Sequence, residues 1–146
     1  MEQLKVVSVN ISEKKGTIKK PVSEISLTHQ GVDGDAHSGP WNRQISILGM
    51  ESIRRFEKQA GRKICPGEFA ENITLESFDY SKIHPLDRFT CGDVEIEITQ
   101  IGKECHTRCA IFYQAGDCVM PKEGIFARVI TGGTIRPGDE IEILMS

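Results

Sequence analysis

Residues 84–99, with the sequence HPLDRFTCGDVEIEIT, join a tight turn to a strand. Pro85 fixes its own φ, and the carboxylate of Asp87 can hydrogen-bond the backbone two residues on, so a sharp turn is expected there. After this turn, apolar and polar residues alternate over positions 94–99, which predicts a strand with one face in the core and the other in water. The same Pro-x-Asp-x-apolar pattern recurs within residues 136–141. A repeated turn that leads into a strand predicts a barrel.

Short strands are expected along the rest of the chain, because 14 Gly and 6 Pro interrupt it frequently. A helix is predicted over residues 50–60, where apolar residues recur on one face and Gly61 follows. A second, weaker helical pattern runs from about residue 106 to residue 115. We therefore expect a mainly β, antiparallel, barrel-like fold with about two short helices, in a single domain over residues 1–146. Further strands are predicted at 7–11, 25–28, 44–48, 72–75, 126–130 and 140–143.

Composition excludes several classes of protein. The chain has 18 basic and 21 acidic residues, a formal net charge of −3, and no basic cluster of the kind that binds nucleic acid. Its longest apolar run, residues 109–113, is far shorter than the roughly 20 residues of a membrane-spanning helix. The N-terminus shows no signal-peptide pattern. We expect a cytoplasmic protein with neither a nucleic-acid nor a membrane partner.

Cys105 is the strongest candidate for chemistry. The chain has five cysteines, an odd number without an export signal, which predicts free thiols in a reducing compartment. Cys105 follows the best-predicted strand, and Lys103, His106 and Arg108 beside it favour the thiolate. The weak helix would start near Cys105, where unpaired N–H groups also favour an anion, and would bring Cys109 to the same face. We predict that Cys105 is a nucleophilic thiolate.

Other interpretations compete with this one. Free cysteine is usually core packing, and we predict that for Cys65 and Cys91, while Cys109 precedes an apolar run typical of a core. A tetrahedral zinc site is the second alternative, although the spacing matches no zinc finger or ribbon. Its ligands would be Cys105, His106, Cys109 and Cys118. Dinucleotide, P-loop and hydrolase motifs are absent from the sequence.

Two further segments are candidates for binding. The glycine-rich residues 31–44 can bring backbone amides, His37 and Arg43 to an anion, or form a solvated loop. In residues 66–73, Glu71 and Asn72 are either capping residues or ligand contacts. The sequence leaves both choices open.

Seven segments, in this order, resemble the MOSC domain family, which is named for the C-terminal part of molybdenum cofactor sulfurases and includes small stand-alone bacterial proteins. They begin with Gly-Val-Asp-Gly-Asp-Ala-His and include Gly-x-x-Cys-x-x-Arg-Cys around Cys105. The matching segments are residues 31–37, 43–44, 66–73, 85–88, 102–109, 118–129 and 132–139.

The resemblance implies a barrel-like fold and the transport of sulfane sulfur, as a cysteine persulfide, toward a metal–sulfur centre such as the molybdenum cofactor. The characteristic cysteine of the family corresponds to Cys105, with Cys109 or Cys118 as candidate resolving thiol. The substrate-binding residues implied are His37, Arg43, Glu71, Asn72, Lys103, His106, Arg108 and Arg128, and no metal ligands are implied.

The resemblance also implies the partners. Molybdopterin, the molybdenum cofactor, is expected as ligand or sulfur acceptor. Pyridoxal phosphate is expected only in a separate cysteine desulfurase, because the chain has no room for the aminotransferase-like domain of the larger sulfurases. A molybdoenzyme or a cofactor-biosynthesis protein is the expected recipient. The activity is then that of a sulfurtransferase. One alternative function is a non-catalytic module that binds molybdopterin or docks on a molybdoenzyme, and the other is a small zinc-stabilised domain.

Overall fold

A computed structural model describes residues 3–14, 17–41, 43–76, 78–102 and 124–144. These residues form one α-helix, α1 (Met50–Ala60), and a short 3-10 helix at Tyr80–Lys82. The remaining elements are strands: β1 (Gln3–Ile11), β2 (Lys20–Val22), β3 (Ile25–Thr28), β4 (Gly31–Val32), β5 (Ile45–Gly49), β6 (Ile73–Glu76), β7 (Arg88–Cys91), β8 (Val94–Ile101), β9 (Ile125–Thr131), β10 (Gly133–Ile135) and β11 (Glu140–Leu144).

Seven of these strands close into a barrel. Their order is β11, β7, β8, β9, β5, β6 and β1, and β1 pairs back with β11. Each neighbouring pair is antiparallel except β5 and β6, which run parallel because α1 connects them. Strand β2 pairs with β1, and β10, β3 and β4 form a small separate sheet. The predicted mainly β, barrel-like fold is confirmed.

The alternating pattern of β8 fills the barrel interior as expected, and β1 departs from its pattern. Val94, Ile96 and Ile98 of β8 are buried in the main core. In β1 the register shifts between Val6 and Ser8, so Val6 and Val9 face inward and Val7 is only partly buried. The expectation that Val7, Val9 and Ile11 share one apolar face fails only at Val7, because the bulge changes the faces between Val6 and Ser8, whereas Val9 is buried and Ile11 packs against the core.

The two Pro-x-Asp turns are nearly identical. In each, the aspartate, Asp87 or Asp139, accepts a 2.9 Å hydrogen bond from the N–H three residues before it. The preceding residue has a left-handed φ, 80° at Leu86 and 93° at Gly138, and its N–H donates to a neighbouring barrel strand at 2.8 Å in both turns. The repeated turn is confirmed, although the carboxylate bonds the backbone upstream and not two residues on.

Helix α1 packs on the outside of the barrel. It begins and ends as predicted, and Gly61 closes it with φ 70° and an N–H bond to the Glu57 carbonyl at 2.9 Å. Phe56 meets Phe69 edge to face at 5.1 Å. The resulting second core also contains Leu48, Ile53, Ile64, Ala70 and Phe126. The predicted second helix, near residues 106–115, lies outside the described residues.

The described cysteines differ in burial. Cys91 is buried, as predicted. Cys65 is exposed, so its predicted place in the core is wrong. The chain returns along the surface after α1, and the Cys65 N–H donates to Glu68 Oε2 at 2.6 Å. Within the described ranges, no helix is both long and apolar enough to cross a membrane.

Candidate functional site

Most of the predicted chemistry belongs to the connection between β8 and β9. Lys103, Cys105, His106, Arg108, Cys109 and Cys118 all lie outside the described residues. The two ends of this connection are adjacent, because Ile101 pairs with Ile125 and the Gly102 N–H donates to the Gly124 carbonyl at 2.6 Å. The chain therefore leaves the barrel at Gly102 and rejoins it next to that point at Gly124.

His37 and Arg43 form a cluster with two aromatic rings near that point. The Arg43 guanidinium carbon lies 4.7 Å from the centre of the Trp41 ring and 5.9 Å from that of Phe126. The Trp41 indole N–H donates to the His37 carbonyl at 2.8 Å, and the His37 and Trp41 rings are parallel with centres 6.4 Å apart. Phe126 is two residues from Gly124. The structure thus brings two predicted binding residues together beside the connection.

Gln44 fixes the loop that carries this cluster. Its side-chain amide donates to the carbonyls of His29 and Gly39, both at 2.8 Å, and its carbonyl oxygen accepts from the Val129 N–H at 2.9 Å. Gly31 has φ 107°, and a Cβ there would lie 2.9 Å from the Gln44 Cβ, so the loop passes too close for another residue. Gln44 thereby anchors the loop to barrel strand β9.

A buried ion pair beneath His37 was missed by sequence reasoning. Lys19 Nζ lies 2.7 Å from Asp35 Oδ1, 3.2 Å from Ser12 Oγ and 3.1 Å from His37 Nδ1. Both charged side chains of the Lys19–Asp35 pair are 0% exposed. Lys19 stands beside the exposed Lys20 in a polar stretch, so local sequence gave no signal that one of the two lysines is buried.

Asp35 is held in its charged form. Burial acts to raise its pKa, but the neighbouring His37 and Lys19 groups, together with the Lys19 charge, outweigh burial and bring the pKa well below the ordinary value of 3.8. Asp35 also accepts from the backbone N–H groups of Ser12 and His37, both at 3.0 Å. This carboxylate therefore ties three chain segments together.

Glu71 is buried with no cationic partner among the described residues. Its side chain is 0% exposed, and Oε2 accepts from the Gly67 N–H at 3.0 Å and from the Thr74 hydroxyl at 2.8 Å. Oε1 has no hydrogen-bond partner among the described residues. Burial raises the pKa of Glu71, and the Gly67 and Thr74 hydrogen bonds only partly oppose that rise.

Asn72 is also fully enclosed by protein. Its Oδ1 accepts from the Ser46 N–H at 3.0 Å and its Nδ2 donates to the Asn10 carbonyl at 3.1 Å. The side chain therefore joins β5 and β1 just before β6 begins. Of the two roles that the sequence left open, the described contacts of both Glu71 and Asn72 are with protein.

Arg128 lies on the outer face of the barrel. Its guanidinium donates twice to Glu97 Oε1, at 3.1 and 2.9 Å, and the side chain is 51% exposed. Glu97 is shared with Arg88 on the neighbouring strand. Arg128 and Phe126 are two residues apart on β9 and so share the outward face. The described residues contain no group of three or more His, Cys, Asp or Glu side chains that could hold a metal ion.

The sequence and the fold were compared with known protein families, curated proteins and solved structures. The family model described as MOSC domain matches residues 33–142. Comparison with curated proteins finds no match.

Solved structures with the same fold include the YuaD protein from Bacillus subtilis, with 17% identity, a TM-score of 0.78, and 99% of this chain and 97% of that chain covered. YiiM from Geobacillus stearothermophilus is 23% identical with a TM-score of 0.74, covering 98% of this chain and 75% of that chain. YiiM from Escherichia coli is 21% identical with a TM-score of 0.71, covering 100% of this chain and 71% of that chain. At these identities the structures support the fold alone. The family match spans most of the chain, including the loop of His37 and both Pro-x-Asp turns, and so this chain belongs to the MOSC domain family.

Proposed function

We propose that this MOSC domain is a sulfur carrier that accepts sulfane sulfur as a persulfide on Cys105 and delivers it to a metal–sulfur centre, with the molybdenum cofactor as acceptor. The observation that carries the proposal is the position of the Arg43 cluster beside the point where the Cys105 segment joins the barrel. A thiol in a segment that leaves the barrel beside a cationic cluster is suited to an anionic sulfur species.

Chain connectivity supports this position. Cys105 is three residues after Gly102, and an extended chain spans at most about 3.6 Å per residue, so the two Cα atoms are within about 11 Å of each other. Gly102 is hydrogen-bonded to Gly124, and two residues later the Phe126 ring lies 5.9 Å from the Arg43 guanidinium. The segment that carries Cys105 therefore leaves the barrel close to the cationic loop.

The charges suit a persulfide. Lys103, His106 and Arg108 flank Cys105 in sequence and favour its thiolate and the terminal sulfur anion of its persulfide. Arg43 adds a guanidinium that pairs with no carboxylate in the described part of the chain, whereas Arg128 is paired with Glu97. A guanidinium can bind a phosphate through two hydrogen bonds, which suits the phosphate-bearing pterin of the molybdenum cofactor.

The residues present fit such an acceptor in part. Arg43 and His37 would hold its anionic group, because both lie in the loop cluster and are only partly buried. Glu71 and Asn72 would contribute only through the protein framework, because their described hydrogen bonds are with protein groups. The cofactor itself supplies the metal that receives the sulfur.

The proposed transfer has two displacements. The Cys105 thiolate attacks the outer sulfur of a donor persulfide, such as that of a cysteine desulfurase. The donor S–S bond breaks, the donor leaves as a thiolate, and Cys105 holds the sulfur as a persulfide. In the second displacement the resolving thiolate, Cys109 or Cys118, attacks the Sγ atom of Cys105, so that the persulfide S–S bond breaks and a cysteine disulfide forms. The two thiolates supply the two electrons with which the terminal sulfur leaves as sulfide for the acceptor, and a cellular thiol then reduces the disulfide. The chemistry requires a reducing compartment such as the cytoplasm, where Cys105 is free.

Intact-mass measurement tests the first step. Incubation with a cysteine desulfurase and cysteine should add the mass of one sulfur atom to the wild-type chain, and Cys105→Ser should abolish the gain. Cys65→Ser is the matched control, because Cys65 is an exposed free thiol, and it should leave the gain unchanged. A wild-type chain that takes up no sulfur, or uptake that persists in Cys105→Ser, refutes the carrier function.

The Arg43 cluster also favours the second function, a module that binds molybdopterin without transferring sulfur. In that case wild type and Cys105→Ser bind molybdopterin equally, Arg43→Gln weakens binding, and no sulfur is taken up. Uptake on Cys105 excludes this alternative. Variants Cys109→Ser and Cys118→Ser identify a resolving thiol, because its loss should lengthen the lifetime of the persulfide.

A further inference from the structure

We propose that Lys19 and Asp35 are positioning residues that hold His37 as the neutral tautomer with its proton on Nε2, so that His37 acts at the surface as a hydrogen-bond donor. The juxtaposition that carries the inference is a buried lysine ammonium 3.1 Å from His37 Nδ1. What the donor binds rests on the proposed function, whereas the tautomer does not.

The chemistry of the contact determines the proton position. A lysine ammonium has donors and no acceptor, so a hydrogen bond between Lys19 Nζ and His37 Nδ1 requires a lone pair on Nδ1. A neutral imidazole with a lone pair on Nδ1 carries its proton on Nε2. A proton on Nδ1 would instead point an N–H toward the ammonium.

Asp35 keeps the lysine in place. Its Oδ1 lies 2.7 Å from Lys19 Nζ, and both side chains are 0% exposed, so the ammonium is held by a buried carboxylate of opposite charge. Its Oδ2 accepts from the His37 backbone N–H at 3.0 Å and is 3.7 Å from Nδ1, beyond a hydrogen bond. Asp35 thus fixes the His37 backbone and leaves the ring nitrogen to Lys19.

The remaining ring nitrogen is the functional one. The His37 side chain is 18% exposed, and no described residue accepts a hydrogen bond from Nε2. The ring lies parallel to Trp41, on which the Arg43 guanidinium packs. His37 Nε2–H and Arg43 then form a pair of donors for oxygen acceptors on a bound molecule, such as phosphate or carbonyl oxygens.

Nuclear magnetic resonance of the ¹⁵N-labelled imidazole rings tests the inference on the whole chain, at a pH about two units above the ordinary histidine pKa of about 6.5. The His37 signals are assigned by their loss in His37→Gln. We expect a single tautomer protonated on Nε2, with an Nδ1 resonance shifted by hydrogen bonding and a scalar coupling from Nδ1 to the Lys19 ammonium nitrogen. A proton on Nδ1, or protons on both nitrogens, overturns the inference.

Two variants distinguish the direct contact of Lys19 with His37 from a general effect of removing a positive charge. Lys19→Met should move the Nδ1 resonance toward that of a free acceptor and abolish the coupling, while Lys20→Met, at the exposed neighbouring lysine, should change neither. If Lys19→Met does not fold, the wild-type coupling decides alone, and its absence overturns the inference. Persulfide uptake on Cys105 is measured separately, so a failure of sulfur transfer and a failure of the tautomer are distinguishable.

Discussion

Asp35 and Glu71 are two buried carboxyl groups with opposite electrostatic settings. Asp35 has a lysine ammonium at 2.7 Å and a lowered pKa, whereas the described hydrogen bonds of Glu71 come from neutral donors, among them Gly67 and Thr74, and its pKa is raised. Both side chains are fully buried. Burial therefore does not by itself set the charge of a carboxyl group in this protein, because the nearest partner decides whether the ionised form is stable.

The two carboxyl groups are connected through the backbone of Gly67. The Lys19 N–H donates to the Gly67 carbonyl at 2.8 Å, and the Gly67 N–H donates to Glu71 at 3.0 Å. A Cβ on Gly67 would lie 2.3 Å from the Lys19 carbonyl oxygen, so only glycine permits this approach at φ 92°. The charged group and the raised-pKa group thus support the same corner of the barrel.

Removing the cation should have the largest effect. Lys19→Met leaves Asp35 as an unpaired buried charge, and we expect the free energy of unfolding to fall by roughly 3–5 kcal/mol in chemical denaturation. Lys20→Met is the control, because Lys20 is exposed and a surface substitution of this kind changes stability by about 0.5 kcal/mol or less. If Lys19→Met and Lys20→Met lost the same free energy of unfolding, the Lys19 ammonium would not be what stabilises the charged form of Asp35. The contrast with Glu71 would then fail.

Removing the Asp35 charge should lower the free energy of unfolding by nearly as much at neutral pH. The size of this loss should depend on pH. The folded pKa of Asp35 is lowered, so its stabilisation is complete above the unfolded value of 3.8 and is lost as the pH falls through the folded pKa. We expect Asp35→Asn to be less stable than wild type by roughly 3–5 kcal/mol at neutral pH. The difference should shrink as the pH falls below 3.8 in acid titrations of unfolding.

An aspartate on the surface provides the comparison. Asp93→Asn, at an exposed turn, should follow the wild-type acid profile. A constant gap between Asp35→Asn and wild type down to the lowest pH would show that the charge of Asp35 does not stabilise the fold.

The contribution of Glu71 to the free energy of unfolding should change with pH in the opposite direction, and this is the smallest of the three expected effects. Its folded pKa is raised, so its stabilisation is complete below the unfolded value of 4.5 and is lost as the pH rises to the folded pKa. In that window the wild-type free energy of unfolding should fall by up to about 1.4 kcal/mol per pH unit from this one group. Glu71→Gln cannot ionise and should lack this slope in denaturation measured across the window.

The neighbouring Glu68→Gln serves as control, since Glu68 is only partly buried in the same loop. It should retain the wild-type slope. The same slope in Glu71→Gln would mean that Glu71 is already ionised in the folded chain.

Local patterns predicted much of the fold. The limits of α1 and the positions of β3, β8 and β11 follow from periodicity and from glycine and proline punctuation, which act within a few residues. The failures come from longer-range effects. A register shift in β1 left Val7 only partly buried, and the path of the chain after α1 exposed Cys65.

In the candidate site, too, some features were predicted from local sequence and others depend on contacts between distant segments. The glycine-rich composition of residues 31–44 drew attention to His37 and Arg43, and the structure brings both into one cluster, while their binding role stays a prediction. The chemistry predicted for Cys105 is a property of its sequence neighbours and stays a prediction. The burial of Lys19 and its ion pair could not be predicted from the sequence, because its partner Asp35 is 16 residues away and no local pattern connects them.

The sequence by itself determined the barrel, the helix and the two Pro-x-Asp turns, because strand alternation, helix termination and turn geometry depend on residues close together in the chain. Only the tertiary structure decided which lysine is buried, which carboxyl group is charged and which nitrogen of His37 faces the surface. Those properties depend on the distance between groups from separate segments and on the exclusion of water around them, and neither exists until the barrel has closed.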